Sequence, residues 1–569
     1  MAKADINFEK ELWDAANELR GAVSENNYKN YILPMVFVKH LSERYEVVHE
    51  QLEIAFSEPQ SKYYTKDESE KKYVLSDKDE YISRNTFLIP KEASWQYFKD
   101  NAEQNDIKVI IDDAFDAIQE LLTERDPKLN NLLPRIFVKS ELSPKQVGGI
   151  INLLSNPKFS EKENPESDVL GRIYEFYIGR FAMAEGSGAG QFFTPGSIVR
   201  LLVEMLEPYK GRIFDPSCGS GGMFVQSLKF IKEHGGNKDD ISIFGQEMTG
   251  GTLRLCLMNL LLRNLSFDVQ LGNSLLNDKF PNLKADFIIA NPPFNVSNWH
   301  PEDLPENDPR LFGPREEFTT DGSANYMWMQ TFWSHLSDTG TAAIVMANGA
   351  MTSNTSGEKN VRQFMVNNNM IDCIVRLPDK LFLTTGIPAC IFFLSKNRDG
   401  NDGKHRNRLG EILFIDASKL GEMESRKLRV FNDSDINQVT ETYHAWRNLK
   451  SIVSFDSAQD DNTKNTSTPM TKRSTSAPIV SQSGVEGKIG KENSANYQNI
   501  LGFCHSATLA EVKKQDYKLT PGIYVGTEAE EDDGIPFETK MTDLNATLME
   551  QFEKSDQLKK QIIANFDKI

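Results

Sequence analysis

Asp286-Phe287-Ile288-Ile289-Ala290-Asn291-Pro292-Pro293-Phe294 is an apolar run brought to an abrupt stop. A short run of this kind, bounded by proline, has the length and composition of a strand buried on both faces, as in a parallel sheet. Two prolines end it. Proline has no N–H to give to a ladder, and it pushes the residue before it toward extended geometry. An amide, a carbonyl with no neighbouring N–H and an aromatic ring are thereby held at the carboxyl edge of a sheet. That edge is where open α/β sheets bind ligands.

Working outward, the chain from about residue 165 to residue 420 alternates strands with helices, the pattern of a doubly wound, Rossmann-like α/β sheet. Strands are expected at residues 212–215, 241–245, 286–290, 342–346, 373–377, 389–394 and 412–416. Helices are expected at 197–206, 222–234, 250–264 and 324–336.

The chemistry suited to Asn291-Pro292-Pro293-Phe294 is attack by an exocyclic amine. Such an amine is a poor nucleophile because its lone pair is delocalised into the ring. Two acceptors, the Asn291 side-chain oxygen and the Pro292 carbonyl, can take its two hydrogens and favour a tetrahedral nitrogen. Fixed dipoles then meet the developing charge with little reorganisation. Phe294 can stack on the planar base. The competing reading is a plain strand-to-loop turn with a core phenylalanine.

Other segments add to this. Asp215-Pro216-Ser217-Cys218-Gly219-Ser220-Gly221-Gly222 follows a short strand and opens a helix. Its glycines let the backbone turn sharply and approach a ligand. Asp215 can hold an ammonium group, whereas a phosphate loop would more often offer lysine, and no Gly-x-x-x-x-Gly-Lys-Ser/Thr is present. Glu247 ends the next strand, where an acid suits a grip on ribose hydroxyls. Asn273, in Leu271-Gly272-Asn273-Ser274, can hydrogen-bond an adenine edge or simply turn the chain. Gly188-Ala189-Gly190-Gln191-Phe192-Phe193-Thr194-Pro195 precedes all of these and can lie across a ligand's amino-acid end, or serve as a stapled helix start.

Outside this core, about residues 8–155 look helical. Leu12, Ala15, Ala16, Leu19 and Val23 fall at helical spacing, residues 31–41 are apolar nearly all round with Pro34 near their start, and residues 112–122 are amphipathic. The polar stretch 58–81 reads as a loop. Residues 451–494 turn to Ser, Thr, Asn, Asp and Lys and read as a flexible insert. After an acidic run at 528–533, Met541, Leu544, Leu548, Phe552, Leu558, Ile562 and Phe566 share one helical face near the C-terminus, suited to internal packing or to a partner helix.

Composition bounds the class. At 569 residues the chain is too long for one ordinary domain. Its net charge of −18 argues against a free-standing tight nucleic-acid binder but not against a DNA-binding partner. Five scattered cysteines with no CxxC, and eight histidines with no HExxH, support neither a zinc site nor a disulfide framework. No metal is expected. No signal-peptide core and no run of membrane-spanning length appear, so the expected location is cytoplasmic.

In this order, the segments resemble an S-adenosylmethionine-dependent amino-methyltransferase of the gamma group of DNA adenine-N6 methyltransferases. Asp168-Val169-Leu170-Gly171-Arg172-Ile173-Tyr174-Glu175-Phe176, Leu12-Trp13-Asp14-Ala15-Ala16, Thr442-Tyr443-His444-Ala445-Trp446-Arg447 and Asp516-Tyr517-Lys518-Leu519-Thr520-Pro521-Gly522 resemble the methylase (modification) subunit of type I restriction–modification systems. Only about 451–494 departs from that likeness, together with Asn273, where many relatives carry an acid. The resemblance implies that Gln191, Phe192, Phe193, Thr194, Pro195, Gly196, Gly219, Ser220, Gly221 and Glu247 bind S-adenosylmethionine. It implies that Asn291, Pro292 and Phe294 hold an adenine flipped from DNA. It also implies a separate specificity subunit with two methylase chains for each, and a motor/nuclease subunit.

The expected division is a helical domain at 1–164, a Rossmann-like methyltransferase domain at 165–425, a connection at 426–500 and a C-terminal segment at 501–569. Two other readings stand beside DNA adenine methylation. One is protein-glutamine methylation, since an amide nitrogen suits the same pocket. The other is a scaffold that binds cofactor without turnover.

Overall fold

The structure is a computed structural model describing residues 12–13, 23, 27–162, 168–184, 194–382, 388–426, 428–449, 497–527 and 537–566. Ala15, Ala16, Leu19, Gln191, Phe192, Phe193, the insert 451–494 and the acidic run 528–533 lie outside the described residues. The chain divides into two units, 1–525 and 526–569.

In the larger unit the strands are β1 (Gly211–Asp215), β2 (Ile241–Glu247), β3 (Phe267–Leu271), β4 (Ala285–Ala290), β5 (Leu336–Ala347), β6 (Ile371–Arg376), β7 (Ala389–Ser395), β8 (Glu411–Asp416), a small ribbon of β9 (Glu422–Met423) and β10 (Arg429–Val430), and β11 (Cys504–Thr508). Apart from the ribbon they form one nine-stranded sheet in the order β11-β8-β6-β7-β5-β4-β1-β2-β3. The alternation of side chains divides each central strand between two cores. Ile213, Ile289, Val345 and Phe393 enter one, and Phe214, Ile288, Ile344 and Phe392 enter the other. The end of the run before Asn291 is therefore buried from both sides, with Ile288, Ile289 and Ala290 all 0% exposed. Each isoleucine so placed contributes about 1.5–3 kcal/mol.

The sheet is not uniformly parallel. β7 runs antiparallel between β5 and β6, and β11 runs antiparallel beside β8. A fully buried strand such as Ala389–Ser395 is apolar whichever way it runs, so its direction is invisible in its composition. β3 and β11 were not expected from the sequence. β3 is half-exposed at the sheet edge, and β11 is Cys-His-Ser-Ala-Thr, with little β-propensity.

The helix Lys29–Ala55 is buried nearly all round over residues 32–43, with Pro34 in its first turns. It lies in the same apolar core as the helix Val169–Ala184 and one face of the sheet. Tyr177 of the latter helix donates to the Leu12 carbonyl at 2.6 Å. The amphipathic helix expected at 112–122 extends over Ile107–Arg125. The expected loop at 58–81 instead holds helices Glu68–Ser76 and Lys78–Ile82. Their starts are capped by Asp67 and Asp77, which accept the N–H groups of Ser69 and Asp79 at 2.8 and 3.0 Å. These caps start the helices without an apolar stripe. Within 426–500, a helix at Asp433–Arg447 begins with a capping box at Asn432 and Asp435. Trp446 fastens it to β11 through Ser506 at 2.8 Å.

The smaller unit contains the helix Phe537–Phe566. Met541, Leu544, Leu548, Phe552 and Leu558 are exposed on it. Among the described residues no helix is long and apolar enough to cross a membrane.

Candidate active site

The strand order reverses between β1 and β4. The chain leaves β1 outward through β2 and β3 and returns on the other side of β1 as β4. Loops diverge at such a switch point and leave a crevice at the carboxyl edge.

Three loops on the β1–β3 side are stitched together. The Cys218 N–H donates to the Gln246 carbonyl at 3.1 Å, and the Gly272 N–H to the Glu247 carbonyl at 2.9 Å. Gly219 and Gly221 have φ of +54° and +82°. That is the left-handed region where a side chain is strained. A Cβ on Gly221 would also lie 2.9 Å from Cys256 Sγ. Ser220 is buried, and its carbonyl accepts from Asn259 at 2.9 Å. The helix Gly222–Glu233 starts immediately afterwards, with its N–H groups and positive dipole end at the crevice.

Two acids close this side. Glu247 is 4% exposed, and its two oxygens accept the N–H groups of Gly219 at 3.2 Å and Thr249 at 2.8 Å. Burial pushes its pKa up, and those N–H groups pull it back. The Thr249 hydroxyl and the Met248 N–H also lower its pKa, so a ligand hydroxyl bound here would share the carboxylate with them.

Asp215 ends β1 and accepts the Ser217 N–H at 2.9 Å. Burial pushes its pKa from 3.8 to about 7, opposed by the Ser217 hydrogen bonds and reinforced by the charge of Glu247. The folded chain thus holds a proton, between 3.8 and about 7, that the unfolded chain has released. Its stabilising contribution is complete below 3.8 and is lost as pH rises through about 7. A carboxylate able to meet an ammonium group appears in that same rise. Affinity for an amino-acid-bearing ligand is expected to be higher at about pH 8 than at about pH 6, and Asp215→Asn is expected to flatten the profile in calorimetric titrations.

Asn273 follows β3, and its side-chain oxygen accepts the Leu275 N–H at 3.0 Å. The side chain shapes a turn, leaving one acceptor site and the amide N–H groups for a ligand. Ser274 donates to the Pro216 carbonyl at 2.5 Å, joining this turn to the glycine loop. Arg310, not singled out in the sequence, donates to the Ser274 and Leu275 carbonyls at 2.8 and 2.9 Å and is paired with Asp308.

On the β4 side, Asn291 Nδ2 donates to Thr194 Oγ1 at 2.9 Å. Two residues far apart in the chain are thus brought together, with Pro195 and Gly196 opening the helix Gly196–Leu206 beside them. Asn291 Oδ1 is buried and has no hydrogen-bond partner among the described residues. A buried acceptor left unpaired costs about 1–3 kcal/mol. No described residue donates to the Pro292 carbonyl. The ring of Phe294 is half-buried and meets Phe382 edge-on, centroids 6.1 Å apart. Phe382, between β6 and β7, escaped the sequence reading, although its place beside the carboxyl end of β6 could have signalled it. Asn295 has φ of +53° and exchanges two hydrogen bonds with Asn325, at 3.0 and 2.8 Å, which anchors the chain just after Phe294.

These residues fit S-adenosylmethionine on structural grounds. The glycine loop turns through positive φ at Gly219 and Gly221 into a helix start, two acids stand at adjacent strand ends, and an unpaired acceptor stands at the end of the neighbouring β4.

The sequence model of the N-6 DNA methylase family matches residues 165–533, and that of the HsdM N-terminal domain matches residues 8–154. The chain is 34% identical to the methylase subunit of the type I restriction enzyme MjaIX of Methanocaldococcus jannaschii, over 98% of this chain and 90% of that protein. It is 37% identical to the methylase subunit of the type I restriction enzyme HindI of Haemophilus influenzae, over 84% of this chain and 98% of that protein. A crystal structure of a type I restriction-modification methyltransferase subunit from Streptococcus thermophilus shares the fold, with a TM-score of 0.67 at 20% identity, covering 91% of this chain and 99% of that one. With both sequence models and two full-length relatives in agreement with the crevice geometry, the chain belongs to the N-6 DNA methylase family, among the methylase subunits of type I restriction enzymes.

Proposed function

We propose that Asn291, Pro292 and Phe294 receive the target base, and that Thr194–Gly196, Asp215, Gly219–Gly221, Glu247 and Asn273 receive the cofactor. The reaction is methyl transfer from S-adenosylmethionine to N6 of adenine in DNA, carried out as the modification subunit of a type I system. The observation that carries the site assignment is the buried, unpaired Oδ1 of Asn291, with its Nδ2 held by Thr194.

When bound, S-adenosylmethionine supplies an electrophilic methyl group on a sulfonium. The chain's own residues do the rest. Asn291 Oδ1 and the Pro292 carbonyl accept the two N–H groups of the target amine and turn its lone pair out of conjugation. They also meet the positive charge that grows on nitrogen. Thr194 fixes the rotation of the Asn291 amide, so the acceptor is set before the base arrives. Phe294, propped by Phe382, offers a face to the base. Glu247 and Asp215 orient the other ligand from the opposite wall, and holding the two reactants in line lowers the entropic barrier.

The proposed division keeps a helical part at 1–164, the methyltransferase part at 165–425, a connection at 426–500 and a C-terminal segment at 501–569. The two sequence models, meeting between residues 154 and 165, support the first boundary. The exposed Leu544, Leu548 and Phe552 favour the C-terminal helix as a docking element for a specificity subunit, with two methylase chains for each. Deleting residues 537–569 is expected to leave cofactor affinity unchanged and to abolish co-purification with the specificity subunit. Normal assembly of the truncated chain would remove the docking role.

The reaction is tested by incubating the chain with labelled S-adenosylmethionine and unmodified DNA, with and without the specificity subunit, followed by nucleoside analysis. Label is expected in N6-methyladenine when the partner is present. Label in protein instead of DNA would promote glutamine methylation.

A further inference from the structure

On the edge of the sheet opposite the crevice, where the chain enters β2 and β3, lies a cavity of about 340 Å³. Its walls come from the helix Lys29–Ala55, the segment around residues 85–87, and the turns at 238 and 263–265. Arg44, Arg125, Lys232 and Lys238 line it. In a chain of net charge −18, cations ordinarily find acids. Here the acids that line the cavity are already engaged: Glu43 with Lys39, Glu161 with His40, and Asp168 with Arg263. Lys162 and Arg263 also line it and are paired with Glu50 and Asp168, but Arg44, Arg125, Lys232 and Lys238 have no acidic partner among the described residues. Arg125 lies over the Phe87 ring at 5.4 Å, and Lys238 donates to the Asn264 carbonyl at 2.9 Å.

A second observation points the same way. Thr86 lines the cavity, is 1% exposed, and its hydroxyl has no hydrogen-bond partner among the described residues. A buried hydroxyl without a partner costs free energy that a ligand oxygen would recover. Val47, Phe87 and Leu265 add apolar surface to the wall, and Asn85 and Asn264 add amides. Cations without acidic partners, a buried hydroxyl and an aromatic ring already stacked under Arg125, around a volume at the low end of small-molecule sites, match one chemical class.

We propose that this cavity binds a phosphate-bearing small molecule no larger than a nucleoside phosphate. Arg44, Arg125 and Lys232 meet the phosphate, and Phe87 lies against the rest. The site is separate from the methyl-transfer crevice, because it opens at the entry of β2 whereas Glu247 stands at that strand's exit. Its ligand joins the helix Lys29–Ala55 to the last turn of the helix Gly222–Glu233 through Arg44 and Lys232, so occupancy stabilises the packing of the helical part on the α/β part.

The test is calorimetry and thermal unfolding of the full chain held at saturating S-adenosylmethionine, which closes the crevice to adenine-containing probes. Inorganic pyrophosphate, adenosine diphosphate and guanosine diphosphate are the small probes, and a short DNA duplex is the fourth. At least one small probe is expected to bind one-to-one and to raise Tm. Arg44→Ala and the exposed Lys232→Gln are each expected to weaken that binding about tenfold and to leave S-adenosylmethionine affinity unchanged. Binding by pyrophosphate alone assigns the site to the phosphate group, and tighter binding of a diphosphate assigns it to the whole nucleotide. No binding up to about 1 mM, equal binding by both variants, or Arg44-dependent binding of the duplex alone would overturn the proposal.

Discussion

Asn291→Ala is expected to lower methyl transfer by about 10²–10³-fold, the loss that follows when one preorganised dipole is removed from a developing charge. Cofactor affinity should fall far less, because most of the proposed cofactor wall, Asp215, Gly219–Gly221 and Glu247, lies on other strands and only Thr194 loses a hydrogen-bond partner. The effect is large because the acceptor is already in place. Its Nδ2 is tied to Thr194 at 2.9 Å, and its Oδ1 is buried without a partner. The fold bears the cost of that unpaired oxygen, and under the proposed mechanism an incoming amine would relieve it. Single-turnover rates and calorimetry on the same variant separate the two quantities. A parallel fall in both would mean that the substitution had disturbed the loop instead of the chemistry.

Glu247→Gln is expected to do the reverse. Affinity for S-adenosylmethionine should fall by roughly 10–100-fold, as expected when a charged acceptor of one or two hydrogen bonds is lost. The rate at saturating cofactor should change much less. Glutamine is the informative replacement, since the Glu247 oxygens also hold the N–H groups of Gly219 and Thr249. Glutamine keeps the side-chain shape and one acceptor for either the Gly219 or the Thr249 N–H, with its NH2 group facing the other, whereas alanine would release both. Unchanged affinity in the glutamine variant would remove Glu247 from the binding wall.

Much of this arrangement was legible in the chain. The β4 run and the two prolines that stop it marked the sheet edge, because proline acts locally and needs no tertiary context. The glycines at 219 and 221 were legible for the same reason, and both adopt positive φ. What could not be read depended on neighbours. β7 is as apolar as a buried parallel strand, and only its pairing with β5 and β6 reveals that it runs the other way. Phe382 matters because it meets Phe294, from which it is separated by β5 and β6 in sequence. Asn273 could be read as a ligand contact or a turn residue, and its hydrogen bond to Leu275 gives it the turn without removing the contact. The helices at Glu68–Ser76 and Lys78–Ile82 are a different case. Asp67 and Asp77 cap them, but no apolar stripe follows either aspartate to mark a helix in the sequence.

The central claim is that an acceptor oxygen at position 291, and not merely a side chain of that size, drives the transfer. The most direct measurement compares single-turnover N6-methyladenine formation by wild type, Asn291→Asp and Asn291→Ala, each assembled with the specificity subunit and saturated with DNA and S-adenosylmethionine. Aspartate keeps an acceptor and can still bond the Thr194 hydroxyl, so its rate should lie between the other two, at least about tenfold above alanine. Equal rates for aspartate and alanine, or a full rate for alanine, would contradict the claim.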